Sequence, residues 1–307
     1  MPIQAAFGNG SLRGFGLNST VKRRFGSNVA VQYLIVAGGG GSQWSSQGTS
    51  GAGGAGGFQT GTQNTVGAAR LYIQVGAGGT GWSNGTNSSV TSVEGVWSNV
   101  TSDGGGAGGY HIGTDNFTAN TGGSGGGGTG TRRTIFVPGY SQPGGGGFAP
   151  QGYAGGNGFG GPGGSSSGGG GGAGGAGTNA SETPGTVYGG AAGAALSSEI
   201  TGTTVNYSGG GAGAATPSTG APASVQGTSA SPGAAIESNA PDNGGGGAGG
   251  IRDTAPSGIS YSGGSGIVVL RSVARAAETI GSPTETRVGN QWIYTFTGSG
   301  EIVLGSA

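Results

Sequence analysis

The run Val31-Gln32-Tyr33-Leu34-Ile35-Val36-Ala37-Gly38-Gly39-Gly40-Gly41 changes character midway. Its first part has the β-branched and aromatic content of a buried strand. The glycines that follow carry no side chain to bury. The same junction occurs in reverse at Gly263-Gly264-Ser265-Gly266-Ile267-Val268-Val269-Leu270. It occurs again at Arg70-Leu71-Tyr72-Ile73-Gln74-Val75-Gly76-Ala77-Gly78-Gly79. Strands that run straight into glycine decide how the rest is read.

Glycine supplies 84 of 307 residues, and charged residues are only 7%. Ordinary domains have about 7% Gly and roughly 25% charge. Hydrophobic residues, at 32%, cannot build a conventional core for this length. Either most of the chain is disordered, or it orders through backbone hydrogen bonds. Collagen is excluded, because its glycine must fall at every third position. The phase slips here, as in Gly168–Gly172 followed by Ala173-Gly174-Gly175-Ala176-Gly177, and there are only 12 prolines. The ordered reading is a bundle of polyglycine helices of polyproline-II type. Such helices have three residues per turn and no internal hydrogen bonds, so every N–H and C=O points sideways to a neighbouring rod. Glycine permits that close approach, and Ala or Ser is expected on outward faces.

The expected fold is therefore mainly β with polyglycine-II helices and essentially no α-helix. A small β-sandwich or sheet base carries a projecting bundle of glycine-rich rods. Residues 1–28 read as an N-terminal arm, with Phe7, Leu12, Phe15, Leu17 and Phe25 as docking residues. Residues 29–273 form the base with the inserted rods, mainly 38–57 and 104–266. Residues 274–307 read as a linker and a C-terminal β-hairpin completing the base, with Gly298-Ser299-Gly300 as its turn. One or two short strands are expected within 88–101.

Chemistry is sparse. Net charge is zero, with 11 basic and 11 acidic residues and a single lysine, Lys22, which argues against nucleic-acid binding. There is no cysteine, so no disulfide or thiolate metal site. No apolar run approaches the ~18 residues of a membrane span. Met1-Pro2-Ile3-Gln4 lacks the basic and apolar pattern of a secretory leader, so synthesis in a cytoplasm without export by that route is expected. His111 is the sole histidine. Gly122-Gly123-Ser124-Gly125-Gly126 matches a nucleophile elbow only as glycine-rich sequence does by chance. No enzyme activity, metal or cofactor is expected.

Surface recognition remains. Rods alternating up and down from the base would place loops 42–50, 110–121, 148–154, 178–188 and 216–243 at the far end, with Gly76–Gly79 near the base and Ser165-Ser166-Ser167 as a base turn. The far loops would present Trp44, Tyr110, His111, Phe117, Phe148, Tyr153 and Tyr188, either for stacking on a ligand or as packing that seals the rod ends.

The junction motifs above resemble the glycine-rich domain family common in bacteriophage virion proteins, notably tail-fibre and appendage proteins. Tyr294-Thr295-Phe296-Thr297-Gly298-Ser299-Gly300 also resembles a strand motif of that family. There it usually precedes the Tyr33–Gly41 type of run, whereas here it ends the chain. The resemblance implies a virion location, with other virion proteins contacted through the arm and a host-surface glycan or outer-surface protein through the loops. A homo-oligomer is expected, with a trimer as the guess. Alternatives are a purely structural virion component, an ice-binding polyglycine protein and an extracellular matrix protein. Composition and spacing alone imply only a rigid scaffold that presents loops.

Overall fold

The computed structural model describes residues 28–66, 69–113, 115–131, 141–218 and 223–305. The arm's docking residues Phe7, Leu12, Phe15, Leu17 and Phe25 lie outside the described residues. All the regular elements described are β-strands.

Ten strands make two five-stranded antiparallel sheets. They are β1 (Asn28–Val36), β2 (Phe58–Val66), β3 (Arg70–Gln74), β4 (Ser88–Thr91), β5 (Val100–Ser102), β6 (Ile267–Ser272), β7 (Ala276–Ile280), β8 (Thr284–Val288), β9 (Gln291–Phe296) and β10 (Gly300–Leu304). The first sheet runs β8-β9-β6-β1-β2 and the second β7-β10-β3-β4-β5. Period-two alternation sends Val29, Val31 and Ile35 of β1, with Leu270 and Tyr294, toward Leu71, Ile73 and Ile302 of the other sheet. These side chains form one core between the sheets. The opposite face of the first sheet buries Leu34, Val36, Val269 and Ile293 under Ala173, Ile200 and Tyr207. With both faces covered, β1 reads as a continuous apolar run rather than an alternating one.

The register corrects the C-terminal reading. β9 and β10 do not pair as a hairpin. β9 lies between β8 and β6, and β10 lies between β7 and β3. Gly298-Ser299-Gly300 carries the chain from one sheet to the other. Each strand has apolar residues to bury in the shared core, Tyr294 and Phe296 from β9 and Ile302 and Leu304 from β10. Arg70 of β3 and Glu301 of β10 tie these neighbouring strands of the second sheet with an ion pair at 2.6 Å. The expected linker 274–288 is likewise two edge strands, β7 and β8. β2 has no apolar alternation, yet it pairs with all nine residues of β1.

Glycine segments continue from β1 and β3 and lead into β6. Gly38–Gly41 shows how they pack. Ala37 and Gly40 donate to the carbonyls of Gly57 and Gly54, and Gly38 and Gly41 to those of Thr86 and Ser83. The carbonyls of Gly38 and Gly41 accept from Gly105 and Gly108. Each neighbour is thus met every third residue. Gly264, Gly79 and Ala248 bond to the remaining sides, so backbone surrounds the segment. Close approach makes glycine obligatory here: a Cβ built on Gly40 would collide with the Gly106 carbonyl. Ala52, Ala55, Ala107, Ala212 and Ala248 are nevertheless fully buried. The expectation that alanine takes outward faces is corrected, because some gaps between segments admit a methyl group.

Side chains take over where the glycine lattice ends. The exposed Asn84 and Asn157 accept from the N–H groups of Ala107 at 3.0 Å and Gly144 at 3.1 Å. Thr178 and Asn239 accept likewise from Ala191 at 2.7 Å and Ser262 at 2.8 Å. Backbone donors of the outer segments are thereby satisfied without another glycine neighbour. The run Gly168–Gly177 is not one segment, because Gly172 donates to Gly175 at 2.9 Å and reverses the chain beside the sheets.

Candidate functional site

The end of the glycine region away from the sheets is closed by short ladders. Ser42–Gln43 pairs with Ser260–Tyr261, and Gly48–Thr49 with Gly130–Thr131. Single bridges join Ser50 to Ile251 and Thr80 to Ser262. Tyr110–Ile112 and Asp115–Phe117 form a small hairpin, with Gly113 at φ 61° beside its turn.

Three aromatic rings meet at this distal end. Tyr110 and Phe117 are direct cross-strand partners, and their rings stack at 4.4 Å with an interplanar angle of 7°. Trp82 meets Phe117 edge-on at 5.0 Å and Tyr110 at 5.5 Å. Tyr110 is buried, and desolvation raises its hydroxyl above the usual tyrosine range. Trp82 remains 37% exposed and forms the outward part of the cluster with the half-buried Phe117. Backbone geometry fixes the tryptophan loop. Gly41 donates to the Ser83 carbonyl at 3.1 Å, and Gly81 sits at φ 59°. The Asn84 side chain accepts from Asn120 Nδ2 at 2.9 Å and donates to the Thr121 carbonyl at 2.9 Å. The arrangement offers an aromatic stacking face next to the Asn84 and Asn120 side-chain amides.

Sequence reasoning missed Trp82 because it placed Gly76–Gly79 at the base. That segment instead runs outward: Gly79 donates to Gly39 and Gly263 to Gly79. The loop after it therefore reaches the distal end. Of the seven expected residues, Tyr110 and Phe117 join the cluster. Trp44 lies in the same end, where its backbone N–H donates to the Ile259 carbonyl at 3.0 Å, but the residue is half-buried. His111 is buried, and its carbonyl accepts from the Ser46 N–H at 2.8 Å. Tyr188 sits on a neighbouring ladder, where its hydroxyl lies 3.3 Å from Thr183 Oγ1.

Phe148 and Tyr153 are corrections. Both are exposed, but their loop lies against the sheets, where Gln151 accepts from the Phe58 N–H at 3.1 Å and its side chain bonds Asp103 at 2.8 Å. Ser165-Ser166-Ser167 is the converse case. Gly164–Ser166 pairs with Ala215–Pro217, and Ser166 packs on Gly130, which pairs with Thr49 at the distal end. The parity shifts at 118–122, which returns to the sheets beside 104–109, so that Gly122–Gly130 runs outward rather than back: Asn120 donates to Ala107, Gly123 to Gly104 and Gly127 to Ala52.

Among the described residues no group of three His, Cys, Asp or Glu side chains could hold a metal ion. No helix among them is long and apolar enough to cross a membrane. A shallow cleft of about 340 Å³ lined by Gln32, Thr62, Glu199 and Arg271 lies on the sandwich, away from the aromatic rings.

A family model described as a glycine-rich domain matches residues 18–273. The matched stretch ends just before β7, so β7–β10 lie beyond it. No curated protein and no solved structure matches the chain.

Proposed function

The chain belongs to the glycine-rich domain family, and from that premise we propose that it is a bacteriophage virion protein of a tail fibre or appendage that attaches to the host surface through its distal loops. The glycine segments serve as polyglycine-II rods. Support comes from the three-residue recurrence of bonding partners along Gly38–Gly41, which is the repeat of that helix. A scaffold locked by backbone hydrogen bonds holds its loop ends with little conformational entropy left to lose on binding. The observation that carries the attachment reading is the Trp82–Tyr110–Phe117 cluster, in which two stacked rings back an outward tryptophan. An aromatic face next to the Asn84 and Asn120 amides suits the apolar face of a sugar ring and its hydroxyls, so the ligand class is a surface glycan.

Binding of the purified chain to a panel of bacterial envelope polysaccharides tests this, with Trp82→Ala as the comparison. We expect saturable binding to at least one polysaccharide, weakened about tenfold or more in the variant, with an unchanged unfolding midpoint. Binding that is indifferent to Trp82 would remove the cluster from the mechanism. Gold-labelled antibody on particles gives the location. Label at an appendage tip supports attachment, and label along a shaft or over a capsid makes the protein a structural component instead.

A further inference from the structure

We propose that β8 is a self-complementary edge through which two copies of this chain pair, extending the first sheet across a twofold axis. The inference is independent of the reading of the distal loops. It starts from the four edges of the two sheets. β7 carries a register shift between Ala276 and Glu278, a bulge that spoils further pairing. β2 is tied to neighbouring loops: Phe58 donates to Gln151 at 3.1 Å, and Gln63 and Ser98 exchange two hydrogen bonds at 2.9 Å. β5 spans only three residues and continues into the Asp103–Gln151 contact. β8 has no bulge and, among the described residues, no loop bonded to its backbone; its Val288 side chain lies beside Gly202. Its five residues are all exposed and pair with β9 in unbroken register. Among the described residues, no backbone group of β8 bonds to any segment except β9.

The turn decides which groups face out. Gly289-Asn290 joins β8 to β9 as a two-residue connection, with Gly289 at φ 62°. Such a turn makes Val288 and Gln291 the first hydrogen-bonded pair. Thr284, Thr286 and Val288 therefore use their backbone groups on β9. Glu285 and Arg287 turn theirs outward.

Charge then selects one register. Antiparallel pairing with a second copy can set Glu285 opposite Glu285, Arg287 opposite Arg287, or Glu285 opposite Arg287. The first two place like charges directly across the ladder, which is unfavourable. The third is centred on Thr286 and forms the Glu285–Arg287 pair twice by symmetry, an isologous contact. The arginine is already held in place, with its guanidinium 5.4 Å from the centre of the Trp292 ring. Arg275 stands on the same ring at 4.9 Å and 3.9 Å from Glu285, adding positive charge near the incoming carboxylate. Antiparallel pairing reverses one copy against the other, so the two glycine-rich ends point away from each other. The assembly is a two-headed pair, unlike the threefold assembly expected from the sequence.

An edge contact of this length is smaller than the ~1,000 Å² of a stable specific interface. Association is therefore reversible, concentration-dependent and weakened by salt. Sedimentation equilibrium of the full chain up to about 1 mM tests it, a concentration that populates weak complexes. Wild type is expected to form dimers. Glu285→Arg and Arg287→Glu should each weaken association about tenfold or more, since each sets like charges in register. An equimolar mixture of the two variants restores pairing, because every cross-strand contact is then Arg on Glu. The double variant E285R/R287E restores it alone, and decides the matter if a single variant fails to fold by circular dichroism. A wild-type monomer at the highest concentration, a trimer, variants that pair as tightly as wild type, or a mixture that fails to recover would each overturn the proposal.

Discussion

Gly40 and Gly298 are the same residue type under opposite constraints. A side chain at Gly40 meets the Gly106 carbonyl, which belongs to a segment held by its own backbone bonds and cannot swing aside. A Cβ on Gly298 meets nothing within 4 Å. Overpacking a close-packed interior costs about 1–3 kcal/mol or more, so Gly40→Ala should lower the denaturation midpoint clearly. Gly298→Ala should stay within about 0.5 kcal/mol of wild type or gain slightly from a stiffer unfolded chain. Equal effects at the two sites would contradict backbone contact as the reason for glycine. The Glu237–Arg252 pair gives a second residue-scale expectation. Arg252 donates to both carboxylate oxygens, at 2.9 and 2.6 Å, and this holds the Glu237 carboxyl below the usual glutamate range. A depressed folded pKa gives stability that is present above the unfolded pKa and lost as pH falls through the folded one. Glu237→Gln should therefore cost at most about 1 kcal/mol at neutral pH, given the pair's partial exposure. Thermal melts should converge with wild type in acid below the folded pKa. A gap that persists there would mean the glutamate acts through packing.

Among the elements, β1, β3 and β6 were legible because each must bury side chains, and burial writes itself into sequence as β-branched and aromatic runs. β2 was not. An edge strand that takes its stability from backbone pairing with β1 needs no apolar alternation, and Phe58-Gln59-Thr60-Gly61-Thr62 shows none. The C-terminal error had a different cause. Local turn signals at 298–300 were right about a change of direction. They could not say that two strands on either side answer to different sheets. Trp82 was hidden for a third reason: which end a loop occupies depends on how many times the chain has already crossed. The outward excursion at 76–87 carries Trp82, and a separate return along 118–122 changed the parity of everything after it, moving Phe148 and Tyr153 to the sheets. The family match stops at residue 273, yet β9 and β10 supply Tyr294, Phe296, Ile302 and Leu304 to the core. Truncation after Val273 should therefore abolish the cooperative unfolding transition and the near-ultraviolet dichroism of the sandwich. A truncated chain that kept both would show that the matched stretch folds alone.

At the scale of the whole molecule, two stabilising principles share one chain. The sandwich relies on apolar burial, and the glycine region relies on peptide groups bonded to peptide groups. These leave different heat-capacity signatures. Exposing apolar surface raises the heat capacity of unfolding and exposing polar surface lowers it, which gives about 12–15 cal/mol/K per residue in ordinary domains. Here the apolar core is confined mainly to the sheets, and the interior of the glycine region is lined by carbonyls and amides such as those of Gly39, Gly53, Gly79 and Gly264. Calorimetry should therefore give a heat-capacity change per residue clearly below that range. The two regions should still melt together. β1 and β3 run directly into glycine segments, one runs directly into β6, and Ala173 and Tyr207 from the glycine region cover the first sheet. The calorimetric and van't Hoff enthalpies should then agree. An ordinary heat-capacity change would mean that apolar burial dominates after all. Two resolved transitions would mean that the glycine region stands without the sandwich, and the rigid coupling from sheets to distal aromatics would no longer follow.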